Sequence, residues 1–249
     1  MGERFVTSDG VGIVWHEWGA ELPGPPVVLH HGFGASAKLN WLGAGVVGAL
    51  TAAGRRVIAL DARGHGESDK PHDPAFYGED RMARDVSELI DHLRFPAFDL
   101  VGYSMGAIVS LIAGTREPRI RRLVIGGVGD GILAQGGGDT RVVDNQDIVK
   151  ALLADDPADI PPAARGFRQL AAQAQVVHAS RIPLEDIAAQ TLVLAGDADP
   201  LAARPERLAA RPERLAAAIK GARLRLAPGD HRSVVAAPQF AAALAEFLA

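Results

Sequence analysis

The sequence predicts an α/β fold: a mostly parallel sheet of about eight strands, helices on both faces, and a small helical cap inserted after the sixth strand. Three observations carry this. Short apolar runs of strand length alternate with helical patterns along most of the 249 residues, the order a parallel sheet requires because each crossover is a helix. Several of those runs are continuously apolar, as strands buried on both faces are. Between about 128 and 185 the strand signal stops; the pattern is helical, interrupted by Pro157, Pro161 and Pro162. The expected division is a core domain over 1–127 and 186–249, with 128–185 as the cap.

Each element follows from local pattern. Phe5–Thr7 and Val11–Trp18 read as a hairpin closed by Ser8-Asp9-Gly10. Pro25–His30 is an apolar strand, followed by the glycine-bearing loop His31-Gly32-Phe33-Gly34. Trp41–Ala53 reads as one helix ending at Gly54. Arg56–Leu60 is the next strand, with Asp61–Ser68 as its loop. Asp80–Leu93 is amphipathic, with Met82, Val86, Leu89, Ile90 and Leu93 at helical spacing. Leu100–Tyr103 is a central strand and Ala107–Ala113 the helix after it. Ile120–Ile125, Thr191–Ala195 and Arg223–Leu226 complete the sheet, and Val234–Ala249 is a closing helix. One heptad, LAARPER, occurs twice, at Leu201–Arg207 and Leu208–Arg214. Proline suits the first turn of a helix and breaks its interior. The helix proper therefore starts near Pro212, and the first copy forms a separate or kinked piece.

Composition narrows the function. A net charge of −4 disfavours nucleic acid and anionic membranes as main partners. With no cysteine, disulfides, thiolate metal sites and a cysteine nucleophile are excluded. No H-x-x-x-H ligand pair appears, and no G-x-G-x-x-G follows the first parallel strand. Neither a metal nor a nucleotide cofactor is expected. The first residues carry no basic-then-apolar leader and no apolar run reaches membrane-spanning length; a cytoplasmic protein is expected.

Chemistry concentrates at Gly102-Tyr103-Ser104-Met105-Gly106. Glycines two residues either side of a serine let strand and helix approach, and let the serine take a strained backbone at the tip of the sheet. G-x-S-x-G alone is a weak signal; its place between a strand and a helix is what the motif requires. Serine needs a base, and the base needs a group that sets its tautomer. Both must lie at the carboxyl ends of strands, the edge that carries Ser104. Of eight histidines, His231 follows the last strand and is the expected base. Asp199, just past the strand ending at Gly196, is the expected acid. Asp197, Asp130 and Asp230 are the alternatives, Asp197 also suiting a local turn cap. A developing oxyanion needs preorganised donors; the backbone N–H groups of Met105 and Phe33 are placed for this.

Five segments together carry a resemblance: His31–Gly34, Asp61–Ser68, Gly102–Gly106, Gly196–Asp199 and Gly229–His231. In this order and spacing the chain resembles the α/β-hydrolase family, in its compact, capped serine-hydrolase form, along its whole length. The resemblance implies Ser104 as nucleophile, His231 as base, Asp199 as acid, Phe33 and Met105 as oxyanion donors, and loop bracing for Arg63 and His65. Ala107, Gln190 and the tight, Asp230-bearing loop before His231 depart from the commoner pattern. The serine argues against the aspartate-using dehalogenase and epoxide-hydrolase branches.

The expected activity is hydrolysis of small to medium apolar carboxylic esters through an acyl-enzyme. Trp41, Tyr103 and His178 are expected to line the substrate pocket. The rivals are lactonase, C–C bond hydrolase, thioesterase or perhydrolase chemistry on the same triad, and a slow ligand sensor. Monomer and homodimer are both compatible with the sequence.

Overall fold

The computed structural model describes residues 2–133, 150, 168–174, 181–199 and 211–249. The strands are β1 (Glu3–Val6), β2 (Gly12–Trp18), β3 (Val27–His30), β4 (Val57–Leu60), β5 (Phe98–Tyr103), β6 (Ile120–Gly126), β7 (Gln190–Gly196) and β8 (Arg223–Ala227). They form one eight-stranded sheet in the order β1-β2-β4-β3-β5-β6-β7-β8. β1 pairs antiparallel with β2, and β2 antiparallel with β4; every other pair is parallel.

The helices are α1 (Val46–Ala52), α2 (Glu79–Leu93), α3 (Met105–Gly114), α4 (Arg168–Ala174), α5 (Pro212–Ala218) and α6 (Pro238–Leu248). Strand side chains alternate between faces, which splits the core into two layers. Val28, Ile58, Leu60 and Leu100 join α2, α3 and α5 on one face. Val27, Leu29, Val57, Ala59 and Val101 join α1 and α6 on the other. α3 is buried at every position, so its sequence is apolar all round rather than striped. Among the described residues no helix is long and apolar enough to cross a membrane.

Register aligns the carboxyl ends of the central strands. His30 pairs with Leu60 and Gly102, Tyr103 with Gly126, and Gly196 with Ala227. The loops that follow these strands therefore leave the sheet on one edge, and Ser104 stands at its centre.

Two helices differ most from the sequence reading. Trp41–Ala53 is not one helix. A π-helical turn covers Lys38–Leu42, and α1 begins only at Val46, because Gly43 and Gly45 interrupt the run. The closing helix begins at Pro238, with a separate 3-10 turn at Val234–Ala236, since proline cannot sit inside a helix. α5 starts at Pro212 with proline in its first turn, where the duplicated heptad predicts it. The first heptad copy, like most of the expected cap, lies outside the described residues.

Candidate active site

The turn from β5 into α3 is built by packing. A Cβ on Gly106 would run into the carbonyls of His30 and His31; one on Gly102 would strike the Gly106 backbone and Ser110 Oγ. Glycine at both positions lets α3 sit directly on the β3 and β5 ends. Ser104 between them is held at φ 54, ψ −116, outside the ordinary range for a residue with a Cβ, at a cost of about 1–3 kcal/mol. Its N–H donates to Gly126 O at 2.8 Å, which helps keep it there.

His231, from the loop after β8, has Nε2 3.0 Å from Ser104 Oγ and Nδ1 3.0 Å from Asp199 Oδ2. A carboxylate only accepts, so the shared proton belongs on Nδ1 and Nε2 faces the hydroxyl as an acceptor. The Asp199 carboxylate is 1 % exposed and the His231 side chain 23 %, open enough to meet a substrate. Tyr103 OH donates to His231 O at 2.6 Å, and its ring lies 5.3 Å from the imidazole. Burial holds the Tyr103 hydroxyl well above its ordinary range, so it stays a donor.

The other acids are engaged elsewhere. Asp197 Oδ1 accepts from Gly229 N–H at 3.0 Å and ties two loops together. Asp230 Oδ1 accepts from the N–H groups of Arg232 and Ser233 and from Ser233 Oγ–H; these bonds hold its carboxyl below the usual range. Asp130 faces Arg211 and Arg214.

The N–H groups of Phe33 and Met105 donate to no described residue. Their surroundings are tied down. Gly32 N–H donates to Asn40 Oδ1, and Gly34 N–H to His65 Nε2, both at 3.0 Å. Ala62 N–H donates to His31 Nε2 at 2.9 Å. A backbone N–H can only donate, so both rings carry their proton on Nδ1. There, His31 meets Gly32 O at 2.8 Å and His65 meets Arg63 O at 3.0 Å. Burial pushes His30 and His31 down to about 3 and His65 to about 4, keeping all three neutral. The Asp61–Ser68 loop completes the frame. Asp61 accepts from Ala37 and Glu67 N–H groups. Arg63 forks onto Asp85 at 2.6 and 2.8 Å, and also bonds Asp9 and Phe76 O.

Trp41 and Tyr103 do not stand where a pocket wall was expected. Trp41 is fully buried, and both pack in the core with Val27, Leu29 and Phe240. Their aromatic surface belongs to the sheet's helix-covered face, and Tyr103 supports the His231 loop instead. His178 lies outside the described residues. A cavity of about 240 Å³ is lined by Gly34, Leu39, His65, Lys70, Gln169 and Leu170, among others. The sequence reading did not single out Gln169, or Gln173 one turn on; polar residues inside an apolar helical run were the available signal. Among the described residues no group of three His, Asp or Glu is placed to hold a metal ion.

The comparisons with known proteins agree with this architecture. The sequence model of the alpha/beta hydrolase fold family matches residues 25–157. A 2-hydroxy-6-oxo-2,4-heptadienoate hydrolase of Pseudomonas putida is 31% identical over 224 residues, 79% of each protein. The dihydrolipoyllysine-residue acetyltransferase component of the acetoin cleaving system of Pseudomonas putida is 42% identical over 125 residues, 49% of this chain. That match spans about a third of the relative's length, 32%. The crystal structure of a hydrolase from Pseudomonas aeruginosa PA01 superposes with a TM-score of 0.72 at 30% identity, covering 99% of this chain and 98% of that one. The chain belongs to the α/β-hydrolase fold family.

Proposed function

We propose that the protein is a serine hydrolase that cleaves carboxylic esters of small to medium size through an acyl-enzyme. The observation that carries this is the continuous hydrogen-bonded line from Ser104 Oγ through His231 to Asp199, with both contacts at 3.0 Å. Ser104 Oγ attacks the ester carbonyl carbon while His231 Nε2 takes its proton. The oxyanion forms where the N–H groups of Phe33 and Met105 point, the second strengthened by the α3 N-terminus. Collapse expels the alcohol, which leaves with the proton from His231. Water then repeats the sequence on the acyl-enzyme, with His231 again as base, and releases the acid and free Ser104. Asp199 holds the Nδ1–H tautomer and stabilises the imidazolium that forms twice per cycle.

The test is hydrolysis of p-nitrophenyl esters from acetate to laurate, with Ser104→Ala beside the wild type. Multiple turnovers, a length optimum, and a loss of about 10⁴-fold or more in kcat in the variant support the reading. Activity retained in Ser104→Ala overturns the mechanism. A burst of one equivalent favours a slow sensor.

A second reading keeps the machinery and changes the substrate. The relative that matches over 79% of its length is named for hydrolysing 2-hydroxy-6-oxo-2,4-heptadienoate. The same serine and donors suit attack on a ketone carbonyl. Turnover of that compound without turnover of any ester decides for it.

A further inference from the structure

Asn40 is a polar side chain close to Ser104 that the acyl-transfer steps leave unused. It sits in the π-helical turn Lys38–Leu42, and π turns are uncommon and recur at functional sites. Trp41 is fully buried and anchors this turn in the core, while Asn40 N–H donates to Ser36 O at 2.9 Å. The Asn40 side chain is thereby carried to the loop after β3, where Oδ1 accepts from Gly32 N–H at 3.0 Å. Gly32 in turn lies against the serine turn. A methyl group placed on it would stand 3.3 Å from Ser104 Cβ and 3.7 Å from Asn40 Oδ1, so one methyl would bridge the amide and the nucleophile's side chain.

The Gly32 bond also settles which end of the amide is which. A backbone N–H only donates, so the oxygen belongs at Gly32 and the NH₂ group faces away from it. Asn40 is half-buried, and its NH₂ group, which donates to no described residue, is open to solvent. Direction follows from strand order, since β3 and β8 lie on opposite sides of β5. His231, from the loop after β8, protonates the leaving alcohol, so the alcohol oxygen lies on that side of Ser104. Asn40 approaches from the β3 side, which is left to the acyl group. We infer that Asn40 donates through Nδ2 to an acceptor oxygen on the acyl carbon next to the scissile carbonyl, so that the preferred esters carry an ether or hydroxyl oxygen there. This rests on the ester reading above for the reaction, and on the pinned amide for the recognition.

Two p-nitrophenyl esters test it, the butyrate and the methoxyacetate, whose acyl chains are equal in length and differ by an ether oxygen in place of one methylene. Each kcat/KM is divided by the rate of hydroxide-catalysed hydrolysis, which removes the greater intrinsic reactivity of the methoxyacetate. The wild type is expected to favour the methoxyacetate by about tenfold, the worth of one hydrogen bond. Asn40→Leu keeps the size and loses both polar atoms. Asn40→Asp keeps an acceptor for Gly32 N–H and loses the donor. Unfolding temperature confirms that each variant folds, and the preference should vanish in both. A residue that only positions Gly32 would lower both esters together in Asn40→Leu and leave their ratio unchanged. That pattern, or a wild type without the preference, overturns the inference.

Nuclear magnetic resonance of nitrogen-15-labelled Ser104→Ala separates recognition from chemistry. The Asn40 NH₂ signals are identified by their absence from Ser104→Ala/Asn40→Leu. If the wild type turns over neither ester, the ester reading fails. Recognition then stands if methyl methoxyacetate moves those signals and methyl butyrate does not. Signals that stay in place, or that move alike with both, refute it.

Discussion

Acid should destabilise this protein above the pH at which its carboxylates titrate, through the histidines under the Phe33 loop. Burial lowers His30 and His31 to about 3 and His65 to about 4, from an ordinary 6.5. Between those values and 6.5 the unfolded chain binds protons that the folded chain refuses. The stability that comes from keeping the rings neutral is therefore complete above 6.5 and is lost as the pH falls toward 4. At pH 5 the deficit is about 2 kcal/mol per ring, and about 6 kcal/mol for three, against a whole-domain stability of roughly 5–15 kcal/mol. Burial also pushes Asp85 up to about 6, an effect of opposite sign in the same window. The informative quantity is thus the difference between wild type and His65→Gln, in which Asp85 cancels. Glutamine can still accept from Gly34 N–H through its side-chain oxygen and does not titrate. Urea unfolding followed by tryptophan fluorescence at four pH values from 6.5 to 5 gives the stability slope for each protein. The slope for His65→Gln should be shallower by about one proton. Equal slopes would mean that the folded and unfolded chains protonate His65 alike, and the argument that burial keeps this ring neutral as the acceptor of Gly34 N–H would fail.

Four substitutions extend the reasoning. Asp199→Asn keeps the shape but lets His231 take the wrong tautomer; kcat on the best ester should fall about 10⁴-fold, with unfolding temperature little changed. Gly106→Ala places a methyl against two carbonyls and should cost about 3 kcal/mol or more in urea unfolding. Arg63→Leu leaves Asp85 buried without its counter-charge and should cost about 3–5 kcal/mol, partly recovered in Arg63→Leu/Asp85→Leu. Tyr103→Phe removes the bond to His231 O and should cost about 1 kcal/mol. A Tyr103→Phe protein with unaltered stability would show that the loop is held by its own Asp230 bonds instead.

Much of the architecture was legible because it is local. Apolar runs set the strands, and the spacing of Met82, Val86, Leu89 and Ile90 set α2. Pro212 marked the start of α5, since ring and backbone decide that without any distant partner. The serine turn was legible for the same reason: glycines at 102 and 106 answer a steric demand that can be read from their spacing. Helix continuity across Gly43–Gly45 was misjudged, because the cost of glycine in a helix is small enough for packing to decide either way.

The sequence alone thus determined the sheet, the serine at its edge and a short list of histidines and acids as candidates to serve it. Tertiary structure separated those candidates by their contacts. Asp197, Asp199 and Asp230 share one local chemistry, and only the loop geometry turns Asp199 toward a ring 32 positions away while the other two satisfy nearby backbone N–H groups. Burial sent Trp41 and Tyr103 into the core, and backbone donors set the tautomers of His31 and His65. Each of these depends on contacts between residues far apart in the chain, whose energies no local pattern encodes.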